Sequence, residues 1–317
     1  MDIRSLLNQL SDGAFHSGSS LGKSLGVSRA AVWKALGRLS ELNLNIETVK
    51  GKGYCLCGGL DLLERELILK HTALEIQKKI NLDLMLSIES TNSFLMAKTV
   101  LDADFEICMS EMQLAGRGRR GKEWVSPFGK NIYLSVAFDL QGGVEVLNGL
   151  SLVIGLAVIR SLKALGVQEA VLKWPNDVWI DSKKVGGILV ELQGEATTGW
   201  KVVAGLGLNV AMQQEDASEI DQPWISLGEK VSCTRSEIAG MLVTKLIYIL
   251  EEFKLYGFEH FLSEWAECDF LKDKDISLNA GKTKGRAVGI NAQGALLLET
   301  NRGLEVVNAG EVSVRPI

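Results

Sequence analysis

The sequence predicts an α+β fold in three parts: an N-terminal winged helix-turn-helix, a central α/β region built on a mixed sheet, and a small C-terminal β-barrel. Three observations carry that expectation. The first 40 residues repeat apolar side chains at helical spacing, residues from about 83 to 210 alternate strand-like and helix-like runs, and beyond Asp273 short apolar runs are punctuated by Asn and Gly. A chain of 317 residues exceeds one typical domain, and 46% hydrophobic with 23% charged residues is the profile of a soluble globular protein.

Along the chain, Ile3, Leu6, Leu7 and Leu10 form one apolar stripe, which Asp12-Gly13 breaks. Ser19 to Leu25 predicts a second helix and Gly26 a turn. Ser28 is a natural N-cap for a third helix through Leu39, with Val32, Leu36 and Leu39 inward and Arg29, Trp33, Lys34 and Arg38 elsewhere. Ile46 to Val49 and Tyr54 to Leu56 read as strands around the basic tip Lys50-Gly51-Lys52-Gly53, which completes the winged order. Cys57-Gly58-Gly59 is expected to act as a hinge before a helix over Leu62 to Leu69.

The central region predicts strands at Leu84 to Ile88, Ile107 to Met112, Ile132 to Phe138, Val171 to Lys173, Val178 to Ile180, Ile188 to Gln193 and Val202 to Leu208, with a helix over Leu150 to Leu165. A further helix starts at Ser236 and reaches about Phe253. Turns at Asn279-Ala280-Gly281, Asn291 to Gly294 and Asn301-Arg302-Gly303 divide the short terminal strands. The expected domains are 1–60, 61–270 and 271–317.

Charge and cysteine content narrow the function. The net charge of -5 argues against a protein that coats nucleic acid by bulk charge, yet residues 1–60 hold seven Lys or Arg against four Asp or Glu. The five cysteines are scattered without a CxxC pair and suggest a reducing compartment, and with three histidines there is no cluster at zinc-ligand spacing; no metal-binding side-chain set is expected. The N-terminus lacks signal-peptide character, and the most apolar window, Leu150 to Leu165, is short for a membrane span and interrupted by Arg160 and Lys163. The expectation is a soluble cytoplasmic protein without a membrane partner.

Four segments carry chemistry. Between Gln113 and Trp124, Arg117, Arg119, Arg120 and Lys122 place four cations in six residues, and such a loop is explained by an anion that neutralises it or by solvent. Gly116, Gly118 and Gly121 fit GxGxxG, but Pro127 prevents the helix a dinucleotide fingerprint requires; Gly18 to Ser24 imitates a P-loop with one interval a residue short. In Lys173-Trp174-Pro175-Asn176-Asp177 the proline halts pairing and displays Asn176 and Asp177 at a strand end, where a ligand or an Asx turn accounts for them. Lys183-Lys184-Val185-Gly186-Gly187 leads a basic pair into a buried strand, suited to a carboxylate or phosphate or simply solvated, and Gly205-Leu206-Gly207-Leu208-Asn209 leaves one sheet face bare.

Together with Ser90-Thr91-Asn92, these segments, in this order, resemble the biotin-protein ligase family, and the chain as a whole resembles its bifunctional form, the bacterial biotin operon repressors. The resemblance implies a central ligase domain, an SH3-like C-terminal barrel, and ATP-dependent formation of biotinyl-5'-AMP with Mg²⁺, followed by transfer of biotin to a lysine of the biotin carboxyl carrier protein of acetyl-CoA carboxylase. It implies that Ser90, Thr91, Asn92 and Gln113 contact the biotin head group and that Arg117, Gly118 and Arg119 belong to a loop closing over biotin and adenylate. The resemblance likewise implies that Lys184 meets the biotin carboxylate and reacting phosphate, that Trp124 stacks on adenine and Asn176 hydrogen-bonds it, and that Arg119 and Arg120 face ATP. The expected catalytic set is Arg119, Lys184 and Asp177, the last to position or deprotonate the acceptor amine. Lys122 stands where the family often has arginine, and it offers a point charge rather than a two-point fork. Ser28, Arg29, Lys34, Arg38, Lys50 and Lys52 are the expected DNA contacts, operator DNA the partner, and a homodimer holding biotinyl-AMP the repressing form of biotin synthesis genes.

Two rivals belong to other classes: a transcription factor that senses biotin without catalysis, and a lipoate-protein ligase. The phosphate-handling residues oppose the first and the glycine-arginine loop the second. For residues 1–60 the rival is a scaffold that only orients the ligase.

Overall fold

The computed structural model describes residues 2–217, 220–309 and 314–316; part of the expected third domain, residues 310–313 and 317, lies outside them. The N-terminal module comprises α1 (Ile3–Leu10), α2 (Gly18–Ser24), α3 (Arg29–Leu39) and a hairpin of β1 (Glu47–Val49) and β2 (Gly53–Cys55). Each helix has a side-chain N-cap, from Asp2, Ser17 and Ser28, which satisfies amides the helix itself leaves open. Leu6, Leu7, Leu10, Leu21, Val32, Leu36 and Leu39 fill one core. The hairpin root lies tight against His16, whose amide and carbonyl both pair with Tyr54; a Cβ at Gly53 would meet the His16 carbonyl, so only glycine fits there.

The expected hinge is tied down. The Leu60 amide donates to Ser11 O at 3.0 Å, a Cβ on Gly59 would come within 2.5 Å of the same oxygen, and Arg4 Nη1 donates to Leu63 O at 2.9 Å. Leu56, Leu62 and Phe128 complete the helical core, with Leu60, Leu86 and Met112 packed against it. Burial of this apolar strip outweighs the freedom of the paired glycines, so the winged module and the central region share a continuous core.

The central region begins with two short helices, α4 (Arg65–Lys70) and α5 (Leu74–Gln77), where one longer helix over Leu62 to Leu69 was expected; Leu62 and Leu63 instead serve the cores on either side. Then follow β3 (Ile80–Met85), α6 (Thr91–Ala97), β4 (Phe105–Ser110), β5 (Ile132–Leu140), α7 (Leu150–Ala164), β6 (Val171–Lys173), β7 (Asp177–Ile180), β8 (Lys183–Glu195), β9 (Gly199–Leu208), α8 (Arg235–Tyr256) and α9 (Leu262–Glu267). The seven strands form a mixed sheet in the order β3-β4-β5-β9-β8-β7-β6, with β3 and β4 parallel and every other pair antiparallel. Val202, Ala204, Leu206 and Leu208 of β9 face the main core with α7 and α8, while Val203 faces a smaller cluster under α6. The segment Val144–Ala164, which ends in α7, is long and apolar enough to cross a membrane by length and composition alone, but most side chains of α7 are buried in this core.

Strand β3 starts earlier than Leu84 because parallel pairing runs from Ile80 opposite Phe105, and β8 extends back to Lys183, so the basic pair lies within the sheet rather than in a turn before it. The C-terminal part is the five-stranded antiparallel sheet β13-β12-β11-β10-β14, made of β10 (Asp275–Leu278), β11 (Thr283–Ile290), β12 (Leu296–Thr300), β13 (Gly303–Val307) and β14 (Val314–Pro316). A bulge between Ala287 and Gly289 bends β11. The buried Trp174 indole fastens this sheet to the central one by donating to Gly294 O at 2.9 Å.

Candidate active site

The cavity lies on the sheet face opposite α7 and α8. It has a volume of about 480 Å³, and its walls include Ser90, Thr91, Asn92, Gln113, Arg117, Gly118, Arg119, Arg120, Trp124, Asn176, Asp177 and Lys184, every residue singled out above for ligand or catalysis. Glycines open it. A Cβ on Gly205 would fall 2.4 Å from Asn92 Oδ1, and one on Gly207 would fall 2.3 Å from the Trp124 ring, so the bare face of β9 is covered by these two side chains.

One end is a rigid polar pocket. Ser90 caps α6 by accepting from the Ser93 amide, and this helix start, not expected from the sequence, directs Thr91 and Asn92 toward the sheet. Gln113 Oε1 accepts from the Thr91 amide at 3.0 Å and from its hydroxyl at 3.1 Å, while Gln113 Nε2 donates to Ser126 Oγ. Asn92 Nδ2 donates to Glu191 Oε2 at 2.8 Å, and the Ser135 hydroxyl lies 2.6 Å from Asn92 Oδ1. Glu191 also holds Arg117 at 3.0 Å, and this joint between the pocket and the cationic loop had no role in the sequence reading. Its signal is a carboxylate within an otherwise apolar strand segment, Ile188 to Leu192, where a partly covered charge calls for a partner.

The cationic loop is a closed hairpin. Trp124 N donates to Gly116 O at 2.9 Å and Gly118 N to Lys122 O at 2.7 Å, with Arg120 and Gly121 both at positive φ in the tip. No helix follows, in keeping with the rejection of a dinucleotide fingerprint. Arg119 Nη1 donates to Asn176 Oδ1 at 3.2 Å, and Nη2 donates to the carbonyl of Ala309 in the loop that follows β13. Burial draws the Arg119 guanidinium below its ordinary value, and the nearby Asp177 charge opposes that shift.

Asn176 sits in the β6–β7 turn after the cis Trp174-Pro175 peptide, and its Nδ2 donates to Ile188 O at 2.7 Å. Asp177 and Lys184 face each other across β7 and β8 as an ion pair of 2.8 Å, both largely buried. Lys184 Nζ lies 5.3 Å from the centre of the Trp124 ring, close enough for a cation–π contact. Trp124 Nε1 is buried without a hydrogen-bond partner among the described residues, leaving a donor free in the cavity wall.

Two cations beyond the predicted set also line the cavity. Lys173 Nζ lies 4.3 Å from the Trp179 ring centre, and burial lowers its pKa from the lysine norm. Arg315 arrives from β14, which no local pattern near the site could announce. In the winged module, Arg29, Lys34, Arg38, Lys50 and Lys52 are all solvent-exposed, and Ser28 Oγ is engaged in capping α3 at Ala31 N.

The fold and cavity define a ligase-type catalytic domain joined to a helix-turn-helix module, and comparisons with known proteins agree. Residues 87–209 match the Biotin/lipoate A/B protein ligase family, residues 3–55 an HTH domain, and residues 276–315 the Biotin protein ligase C terminal domain. Over 313 residues the chain is 39% identical to the Bifunctional ligase/repressor BirA of Salmonella typhimurium and 38% identical to that of Escherichia coli, in each case across 98% of this chain and 96% of the relative. The structure of a biotin protein ligase from Aquifex aeolicus in complex with biotin and ATP aligns with a TM-score of 0.63 at 29% identity, covering 75% of this chain and 99% of that one. The chain belongs to the bifunctional ligase/repressor group of the biotin protein ligase family.

Proposed function

We propose that this protein joins biotin to AMP at the expense of ATP, transfers biotin to a lysine of the biotin carboxyl carrier protein of acetyl-CoA carboxylase, and represses biotin synthesis genes when the adenylate is bound. The observation that carries the proposal is the ordering of one cavity: a neutral amide and hydroxyl pocket at Thr91, Asn92 and Gln113, a lysine–aspartate pair in the middle, and arginines beside an indole and an asparagine. A neutral ureido ring, a carboxylate and an adenine nucleotide suit those surroundings in that order.

A carboxylate is a poor electrophile, and reaction with the α-phosphate of ATP converts it to a mixed anhydride while pyrophosphate leaves. Lys184, Arg119 and Arg120 line the cavity, where Lys184 would hold the biotin carboxylate against that phosphate and the two arginines would offset charge that grows on the phosphoryl oxygens. Trp124 offers an indole face to adenine and Asn176 an amide to its edge. Mg²⁺ would enter bound to the phosphates of ATP rather than to a side-chain cage of the protein. The ion would supply charge neutralisation at the phosphates.

In the second step the acceptor lysine must attack as the neutral amine, although a free lysine has a pKa of about 10.4. Asp177, paired with Lys184 at 2.8 Å, would orient and deprotonate that amine once Lys184 turns to the substrate carboxylate. The Arg117–Glu191 pair anchors the base of the loop, so closure over the adenylate moves mainly the Gly118–Gly121 tip.

Residues 1–60 would act as the winged DNA-binding domain, 61–270 as the ligase domain and 271–317 as the SH3-like barrel, in a cytoplasmic protein without a membrane partner. A single winged domain reads one half-site, so the repressing form is a homodimer with biotinyl-AMP bound. Incubation with ATP, Mg²⁺, biotin and a biotin-acceptor domain, followed by intact mass, tests the ligase; no mass gain on the acceptor overturns it. Gel-shift titration with and without biotin plus ATP tests the repressor, which requires binding that tightens with both ligands and weakens steeply with salt.

A further inference from the structure

Trp33 is 70% exposed in the middle of α3, although an indole of that size is ordinarily at least half covered. Core packing does not account for it, because the inward face of α3 is already filled by Val32, Ala35, Leu36 and Leu39. Its neighbours on the outward face, Ala30 one turn before and Gly37 one turn after, are both small and exposed. A Cβ on Gly37 would meet nothing within 4 Å. An exposed glycine inside a helix costs about 0.5–1 kcal/mol relative to alanine, so its presence fits a surface that another molecule approaches closely.

The flanks of that stripe identify the occupant. Arg29, Lys34 and Arg38 border it, Lys50 and Lys52 stand on the wing, and α3 contains no Asp or Glu. A polyanion with a recess about 12 Å wide, the major groove of duplex DNA, matches a cation-edged helix with one projecting indole. In that groove the apolar feature unique to one base is the C5-methyl of thymine.

We infer that Trp33 is the specificity-determining residue of α3 and that it packs on a thymine methyl group in the major groove. The inference rests on the DNA-binding reading of residues 1–60 and goes beyond it by assigning sequence discrimination to an apolar contact. The cations supply affinity for any duplex, and Trp33 supplies preference among them.

The test uses the full-length protein with biotin and ATP and a duplex library with a randomised core. Sequences enriched by the wild type are then compared with a scrambled duplex for the wild type, Trp33→Ala and Lys34→Ala. For Trp33→Ala the preference for the enriched over the scrambled duplex should fall by roughly tenfold, while the salt slope of scrambled-duplex binding is unchanged. Lys34→Ala should weaken both duplexes alike and reduce the salt slope by about one.

Replacing enriched thymines one at a time by uracil, which removes only the methyl, should weaken the wild type at one position per half-site and have no effect there on Trp33→Ala. Unchanged preference in Trp33→Ala, or equal uracil effects in both proteins, overturns the inference while leaving DNA binding in place. Absence of any duplex binding by the wild type overturns the underlying reading as well. A Trp33→Ala change in sedimentation without DNA would assign the indole to a second copy of the chain and also overturn it.

Discussion

Arg235 and Glu111 form an ion pair of 2.6 Å with both side chains shut off from solvent, and together they fasten the segment between the winged module and the ligase domain. Glu111 Oε1 accepts from the Leu63 amide at 2.6 Å, Arg235 Nε donates to Asp61 O at 2.8 Å, and Arg235 Nη1 donates to Asn131 O at 2.8 Å. The end of β4, the start of α8 and the interdomain segment therefore meet at one charge pair, two residues before Gln113 in the polar pocket.

A buried pair of this kind is expensive to break from one side. Arg235→Leu strands the Glu111 carboxylate in the core and should lower unfolding stability by about 3–5 kcal/mol, whereas the double variant Arg235→Leu/Glu111→Leu should recover most of that loss. Urea denaturation of the two proteins checks the expectation. Equal loss in both would show that hydrogen bonds to Asp61 and Asn131, rather than charge pairing, hold the junction.

The two glycines of β9 should separate the substrates. A methyl at Gly205 displaces Asn92, and one at Gly207 displaces the Trp124 indole. Gly205→Ala should raise the KM for biotin with little effect on ATP, and Gly207→Ala the reverse, each by roughly tenfold because one ligand-facing side chain is pushed out of place. Pyrophosphate exchange measured against each substrate decides it, and a common change in both KM values would mean that the strand itself has shifted.

Arg119→Gly removes a guanidinium that reaches both Asn176 and the Ala309 carbonyl in the loop after β13. Loss of a charge-assisted hydrogen bond is worth about 1.5–3 kcal/mol, so the adenylate should escape roughly ten- to a hundredfold faster. A free mixed anhydride acylates amines without recognising the carrier, and biotin should appear on lysines of an unrelated serum protein mixed into the assay. Retention of the intermediate with no such labelling would exclude Arg119 from the lid.

Asp269 supplies a pH test of the junction with the C-terminal sheet. Its Oδ1 accepts from Leu271 N at 2.8 Å, its Oδ2 is buried without a partner among the described residues, and burial pushes its pKa up to about 6. A carboxyl whose folded pKa exceeds its unfolded value near 3.9 favours the native state most below about pH 4, and that contribution is lost as pH rises through about 6. Asp269→Asn should therefore be more stable than the wild type above pH 6, by up to ~3 kcal/mol, and equal to it near pH 4. Thermal melts at the two pH values give the comparison, and a difference that does not change with pH would refute a titration origin.

Much of the fold was legible because its signals are local. Helical spacing of Leu6, Leu7 and Leu10, the capping residue Ser28 and the glycines around Lys52 each act within a few residues, so the winged order followed from them. The same holds for α7 and for the alternation of β9 that leaves Gly205 and Gly207 bare. Family motifs placed the cavity residues in one group without saying how they meet.

Strand order decided the rest. Asp177 and Lys184 become partners because β7 and β8 pair with a bulge beside them, and Glu191 joins Asn92 to Arg117 because β8 runs beside β9 beneath α6. Arg315 reaches the cavity only through the docking of the C-terminal sheet, and the glycine pair expected to hinge is immobilised by Ser11 and a shared apolar core. Residue type and spacing determined which faces seek burial and which groups carry charge, since those depend on neighbours in the chain. Which carboxylate meets which cation depends on contacts between residues far apart in the chain, such as Glu111 with Arg235 and Arg117 with Glu191, and only tertiary packing sets those.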